Sequence, residues 1–289
     1  MMKASAADDP PLRIPLCHVR LYTGADPDPR SPMAFIRTYD GDEPQRLNKW
    51  LGQSGVCSRR EAEGLIVAGM VSIDGETVTD PGRKIEPGQT LTLSDSAEAE
   101  LASGVTIMLH KPLDFVSGQP EPDKVPAIQL VIEPNRVGPW PFAGEEPAED
   151  ASFPPIGRLD EDSRGLLLLS NDGVVAKAVI GPQSNLDKEY LVRIAGDVTE
   201  KKLALLRYGL MLDGRQLKRA HVSRMESFRL KFILREGRNR QIRRMCEMVD
   251  LEVIDLIRVR IGPIRLDNLP EGHWRVLTAE ERAALVGQG

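Results

Sequence analysis

Four consecutive leucines, Leu166-Leu167-Leu168-Leu169, constrain this chain more than any other feature. The run opens after Gly165 and is closed by Ser170-Asn171-Asp172-Gly173. A short unbroken apolar run bounded by turn residues reads as a buried strand followed by a turn. Directly ahead of it lies Gly157-Arg158-Leu159-Asp160, with Asp162 two residues further on. The pattern therefore delivers one acid to the rim of a buried strand. Loops fixed by a rigid strand are where catalytic groups are usually mounted. A positioned Asp is a part on which acid–base or nucleophilic chemistry is built.

The chain has 289 residues, enough for two domains of ordinary size. No stretch approaches the roughly 18 apolar residues of a membrane span. Asp8, Asp9 and Pro10 interrupt any signal-peptide core at the start. Cys17, Cys57 and Cys246 lie far apart and form no metal-ligand spacing. Free thiols in a reducing cytoplasm are the expectation. The net charge of −5 excludes a uniformly basic nucleic-acid binder, but the charge is unevenly spread. Residues 95–160 carry 4 basic and 12 acidic side chains, and residues 215–244 carry 11 basic and 2 acidic. That asymmetry points to a polyanion-binding face on an otherwise acidic molecule. A solvated strand-and-helix surface is the plainer alternative.

Residues 1–43 are rich in Pro, Asp and Arg and have no period, so a mostly disordered extension is expected. Residues 44–94 read as a compact unit. Leu47, Trp50 and Leu51 share one helix face, Ser58-Arg59-Arg60-Glu61 is a capping box, and Ala62, Leu65 and Ile66 continue a second helix. Val71, Ile73 and Val78 flank the hairpin signal Asp74-Gly75, and Thr90–Leu93 is a last strand. Residues 95–104 read as an acidic linker, and 105–289 as a larger domain. Its strands fall at 105–109, 188–194, 228–234 and 253–259. Helices fall at 174–180, after Thr199, and where Ile242, Met245, Cys246 and Val249 recur at helical spacing. The Pro- and acid-rich stretch 138–152 reads as a surface loop. The expected class is α+β: a small α/β module, then a mixed, mainly antiparallel sheet flanked by helices.

Two further motifs can carry chemistry. In Glu236-Gly237-Arg238-Asn239-Arg240-Gln241-Ile242-Arg243-Arg244 a glycine opens a helix beside four arginines, which suits phosphate contact. A charged helix exterior is the alternative. In Lys188-Glu189-Tyr190 the tyrosine can stack on a base or move a proton, although a strand tyrosine alone is more often core.

Arg46, Lys49, Arg59 and Arg60 lie near the starts of the two short helices. Arg46-Leu47-Asn48-Lys49, Ser58 to Ala62, Gly69, Val71 and Asp74-Gly75 together resemble the small RNA-binding module shared with small-subunit ribosomal protein four. Gly157-Arg158-Leu159-Asp160 with Ser163, Gly165-Leu166 and Asn171-Asp172-Gly173 is similar to the signature of the RNA pseudouridine synthases. Lys188-Glu189-Tyr190 and the run from Gly237 to Met245 match that family in the same order. The preceding module places the resemblance in its RsuA-type branch. It covers about residue 45 to residue 280, and leaves out 1–43 and 138–152.

The resemblance implies the pseudouridine synthase fold with Asp160 as the catalytic aspartate. It implies Tyr190 against the base and Arg243 paired with the aspartate. RNA contacts are implied for Arg46, Lys49, Arg59, Arg60, Arg158, Arg238, Arg240 and Arg244. The family's reaction is a redox-neutral isomerisation, so no cofactor and no metal are implied. The implied partner is RNA, with large-subunit (23S) rRNA first and tRNA second. A cytoplasmic monomer without membrane contact is expected. Two other readings of Asp160 stay open: magnesium held with Glu161 and Asp162, or a structural acid serving Arg158 or Arg164. The rival function is a non-catalytic RNA-binding ribosome-assembly factor, which need not retain Asp160, Tyr190 and Arg243 together.

Overall fold

The computed structural model describes residues 35–118, 123–140, 153–226 and 228–287. The N-terminal module comprises β1 (Ile36–Thr38), β2 (Gln45–Arg46), α1 (Leu47–Gln53), α2 (Arg59–Val67), β3 (Val71–Ile73), β4 (Glu76–Val78), β5 (Lys84–Ile85), β6 (Thr90–Leu93) and α3 (Asp95–Ala102). Four strands form an antiparallel sheet in the order β1-β6-β3-β4, while β2 pairs with β5. The apolar faces of α1 and α2 share a core with Val71, Ile73, Leu91 and Leu93. The capping box at Ser58 is formed, with both of its hydrogen bonds. Asp74 and Gly75 both take positive φ, as a two-residue type I′ hairpin turn requires.

The module departs from the sequence expectation at both ends. Ile36–Thr38 pairs with β6, and Tyr39 packs edge-on against Trp50 at 5.5 Å between ring centroids. Among the described residues, the module's first strand thus lies at Ile36–Thr38, ahead of residue 44. A three-residue strand is too short to show a period beside so many prolines and acids. Residues 1–34 of the expected extension lie outside the described residues. The expected linker at 95–104 is mostly the helix α3. Ser94 caps it by accepting from the Ala97 N–H, and Asp95 and Glu98 occupy its first turn. Acids there are favoured by the helix dipole, so the composition that suggested a linker belongs to a helix start. Ala97 is buried in the module core.

The larger domain follows as β7 (Thr106–Lys111), β8 (Phe115–Val116), β9 (Val125–Pro126), β10 (Arg164–Ser170), α4 (Gly173–Ile180), β11 (Lys188–Ala195), α5 (Glu200–Arg207), β12 (Met211–Leu212), β13 (Arg215–Gln216), β14 (His221–Glu226), β15 (Arg229–Leu234), α6 (Gln241–Glu247), β16 (Glu252–Ile261), β17 (Ile264–Arg265), β18 (Trp274–Val276) and α7 (Ala279–Val286). Its main sheet runs β14-β15-β11-β16-β10-β7-β18, with β17 pairing on β16. Every pairing along it is antiparallel except β10 with β16. The fold is therefore α+β with a mixed, mainly antiparallel sheet.

The leucine run explains its own continuity. Side chains alternate along a strand, and β10 is covered on both faces. Leu167 and Leu169 enter the core that contains Leu203, Leu206, Ile242 and Met245. Leu166 and Leu168 enter a second core with Val175, Val179 and Leu285. At the basic run, the helix α6 starts at Gln241, not at Gly237. Arg240 precedes it in the left-handed region, with φ 50°. The expected loop at 138–152 falls largely on 141–152, outside the described residues.

Candidate active site

The site is built where the sheet is thinnest. Strands β10 and β16 share only two residue pairs, Arg164 with Ile257 and Gly165 with Arg258. Gly165 has φ +107°, and a Cβ there would lie 2.7 Å from the Arg258 nitrogen and collide with its carbonyl oxygen. Only glycine permits this approach. The loop 157–163 crosses in front of the junction and carries Asp160.

Buried polar side chains hold that loop by its backbone. Arg258, about 1% exposed, donates to Leu166 O at 2.7 Å, Gly157 O at 2.9 Å and Arg158 O at 3.3 Å. Ser117 Oγ accepts the Leu159 N–H at 2.9 Å and donates to Leu159 O at 2.7 Å. Lys111 Nζ, fully buried, donates to Pro112 O and Phe115 O at 2.7 Å and reaches Glu161 O at 3.5 Å. Arg243 donates to Asp162 O at 2.5 Å and Val253 O at 3.2 Å. Three cations thus grip carbonyls on both sides of Asp160. Among the described residues, no hydrogen bond or ion pair ties the Asp160 carboxylate itself. It opens into a cleft of about 590 Å³.

That cleft brings together Asp160, Tyr190, Arg243, Arg158, Arg238 and Arg240. Lys188, Tyr190 and Arg258 line it from the sheet, while Val179, Ile180 and Gly181 line it from the end of α4. Tyr190 is buried to 8% exposure on β11, next to a register shift at Glu189/Tyr190. Such an irregularity re-aims a side chain. Burial pushes the Lys111 ammonium down to about 8, against the nearby charges of Asp114, Asp162, Glu161 and Asp160. Burial also lowers Lys188, and the charge of Arg258 adds to it.

The arginines differ from expectation. Arg243 does not pair with Asp160. Its Nε lies 3.2 Å from Asp162 Oδ2, without hydrogen-bond geometry, while Arg240 donates to the same oxygen at 2.8 Å. Partial burial raises the Asp162 carboxyl, but the Arg240 hydrogen bond and both arginine charges outweigh it and hold it below the usual carboxylate range. The Arg243 fork spans Asp162 O and Val253 O. Arg238 ties down the β12–β13 hairpin through Leu212 O at 3.1 Å and Gln216 O at 3.0 Å. Arg244 makes a two-pronged pair with Asp213 at 2.6 and 2.9 Å. Arg240 and Arg244 thus meet acids distant in sequence, while Arg238 meets backbone carbonyls and Glu236. Arg158 is exposed at the cleft mouth. Arg46, Lys49, Arg59 and Arg60 are exposed on the module, outside the cleft.

The open readings of the acids also have their geometry. Glu161 pairs with Lys124 at 2.6 Å, and Arg164 with Asp255 at 2.9 Å and Glu271 at 3.3 Å. Among the described residues, no group of three or more His, Cys, Asp or Glu is placed to hold a metal ion. None of their helices is long and apolar enough to cross a membrane. Cys57 and Cys246 are buried, and burial pushes both thiols up to about 12.

No motif marks Lys111, Ser117 or Arg258 in the sequence. Arg258 left one signal: it alternates with buried Leu256 on one strand face, where a charge is out of place.

Comparison with known proteins bears on the same residues. Residues 105–248 match the family described as RNA pseudouridylate synthase, and residues 45–91 match the S4 domain. The chain is 35% identical over 240 residues to the dual-specificity RNA pseudouridine synthase RluF of Escherichia coli K12, covering 82% of this chain and 76% of that protein. It is 31% identical over 232 residues to the putative ribosomal large subunit pseudouridine synthase SVR1, chloroplastic, of Arabidopsis thaliana, covering 78% and 56%. A crystal structure of a pseudouridylate synthase superposes with a TM-score of 0.57 at 27% identity, covering 83% of this chain and 99% of that one. With this cleft and these matches, the chain belongs to the RNA pseudouridine synthase family.

Proposed function

We propose that the protein converts one uridine of large-subunit (23S) rRNA to pseudouridine, with a tRNA uridine as a second substrate. One relative is named for dual specificity and another for the ribosomal large subunit, which supports both parts of the reading. It acts as a cytoplasmic monomer in ribosome biogenesis. The observation that carries the proposal is the Asp160 carboxylate, open to the cleft while the backbone around it is held from three sides.

The isomerisation breaks the bond from uracil N1 to ribose C1′, turns the base, and joins C5 to C1′. The C5 proton leaves to solvent and the freed N1 takes up a proton, so atoms and electrons balance without a redox partner. The uridine must first leave its stack, which costs a few kcal/mol. The Tyr190 ring offsets part of this by stacking, worth roughly 1–3 kcal/mol per base. Asp160 is the catalytic residue. Arg243 serves it as a positioning residue, through Asp162. Arg158 at the mouth, and Arg46, Lys49, Arg59 and Arg60 on the module, take RNA phosphates.

The test is tritium release from an rRNA transcript labelled at uridine C5. Release by wild type and none by Asp160→Asn, with RNA affinity retained, is the expected result. Equal release by both, or none by wild type on any rRNA or tRNA fragment, would overturn the reading in favour of a binding-only factor.

A further inference from the structure

Helix α4 meets different partners at its two ends. Val179 and Ile180, at its C-terminal end, line the cleft. Its N-terminal end carries the RNA-binding module. The Gly173 N–H donates to Glu61 Oε1 at 3.0 Å. The other oxygen of that carboxylate accepts the Ser58 N–H at 2.6 Å, within the capping box of α2. One carboxylate therefore caps two helices from two parts of the chain. Further along α4, Lys177 Nζ donates to Gly52 O at 2.5 Å and Gln53 O at 2.9 Å, at the C-terminal end of α1.

The junction is matched in charge. An acid meets the N–H groups that open α2 and α4, and a cation meets the carbonyls that end α1. It is also matched in shape, because a Cβ at position 173 would overlap the Glu61 carboxylate and the Ser58 side chain. The rest of α4 is anchored to the catalytic domain. Asp172 caps it through the Val174 and Val175 N–H groups and is held by Arg282 of α7 at 2.5 Å. Asn171 Oδ1 accepts the Val105 N–H at 2.7 Å. The segment Ser170-Asn171-Asp172-Gly173, a mere turn in sequence, is the plate on which the module docks.

We propose that Glu61, Gly173 and Lys177 make α4 a rigid spacer, which holds the module's RNA-binding face at one distance from Asp160. This rests on the RNA reading above and sharpens it. The preferred substrate is an RNA whose target uridine lies at a set spacing from the structured element gripped by Arg46, Lys49, Arg59 and Arg60. A uridine in the same local sequence at another spacing is rejected. Glu61 and Lys177 are positioning residues and lie outside the cleft.

Two measurements test this on the full chain. In the first, spin labels on Glu76→Cys and Asn268→Cys, with Cys17→Ser, report the distance between module and catalytic domain by electron–electron double resonance. A narrow distribution that broadens in Glu61→Ala and Lys177→Met is expected. A broad distribution in the unmutated junction would overturn the proposal, whatever RNA is modified. In the second, both variants are assayed on a minimal hairpin that fills the cleft alone and on a long rRNA fragment. Hairpin turnover should keep its kcat. On the fragment, KM should rise about tenfold as effective concentration is lost, and neighbouring uridines should become modified. Unchanged KM and unchanged target in both variants would overturn the spacer. So would equal loss on both RNAs, which would mark a folding role. Lys177→Met leaves the α2 capping box intact, so it separates the junction from the cap. Failure of wild type on every RNA would sink the substrate reading, while the label distances would still decide the spacer.

Discussion

The Arg258 guanidinium donates to the Gly157 carbonyl at 2.9 Å, and so fixes the start of the loop that presents Asp160. The same side chain holds Leu166 O, beyond the end of that loop. Arg258→Met takes this donor from the buried Leu166 carbonyl and from the part-buried carbonyls of Gly157 and Arg158, at about 1–3 kcal/mol for a buried group left unsatisfied. A displacement of about 1 Å at a catalytic group is worth roughly 100-fold in rate. The expected result is a kcat lowered about 100-fold with KM little changed, and Arg258→Lys should recover only part of it. A proportional rise in KM instead would show that Arg258 contacts RNA rather than the loop.

Lys111 gives stability a signature in pH. Its folded pKa, about 8, lies below the ordinary 10.5. Between these values the unfolded chain binds more protons, so the Lys111 contribution to stability rises with pH. It is fully present above 10.5 and is lost as pH falls through about 8. Urea unfolding of wild type and Lys111→Met from pH 7 to 10.5 should show the difference moving in favour of wild type. A constant difference would contradict the burial assigned to this ammonium.

Gly165→Ala tests the close approach of β10 to β16. The added methyl meets Arg258 backbone in a conformation that L side chains rarely adopt. Overpacking and strain together should cost about 3 kcal/mol or more. Thermal unfolding should show a large drop in Tm or no soluble protein. A variant of wild-type stability would mean that the two strands part more readily than their geometry implies.

Salt dependence separates an arginine with an open charge from one already paired with an acid. Each phosphate contact contributes roughly 0.7–0.9 to the slope of log affinity against log salt. Arg158→Gln should lower the slope on an rRNA fragment by about that amount. Arg244→Gln, whose charge is met by Asp213, should leave it unchanged. The reverse outcome would return the basic run to direct RNA contact.

Local signals were legible where a few neighbouring residues decide the structure. The capping box at Ser58, the turn at Asp74-Gly75 and the buried faces of α2 and α6 all follow from short spacings. The acid at the rim of a buried strand was legible for the same reason. The partners of the arginines were not. Asp162 meets Arg240 and Arg243, and Asp213 meets Arg244, across separations that no local pattern encodes. Lys111, Ser117 and Arg258, three of the four side chains that hold the loop, leave little trace in the sequence because their partners are backbone groups, which every residue carries. Helix α3 has the composition of a linker because acids and serine favour both linkers and helix starts.

The two-pair contact between β10 and β16 bears on how the enzyme comes into being. Arg258 reaches the Asp160 loop from about a hundred positions downstream. Closing so long a stretch of chain is entropically costly and comes late in folding. The hairpin-like pairs β14-β15 and β3-β4 can form locally long before that. Competence for chemistry is therefore acquired only when β16 arrives. In refolding, catalytic activity should lag behind secondary structure, so a nascent or damaged chain with much of its sheet in place cannot yet modify RNA.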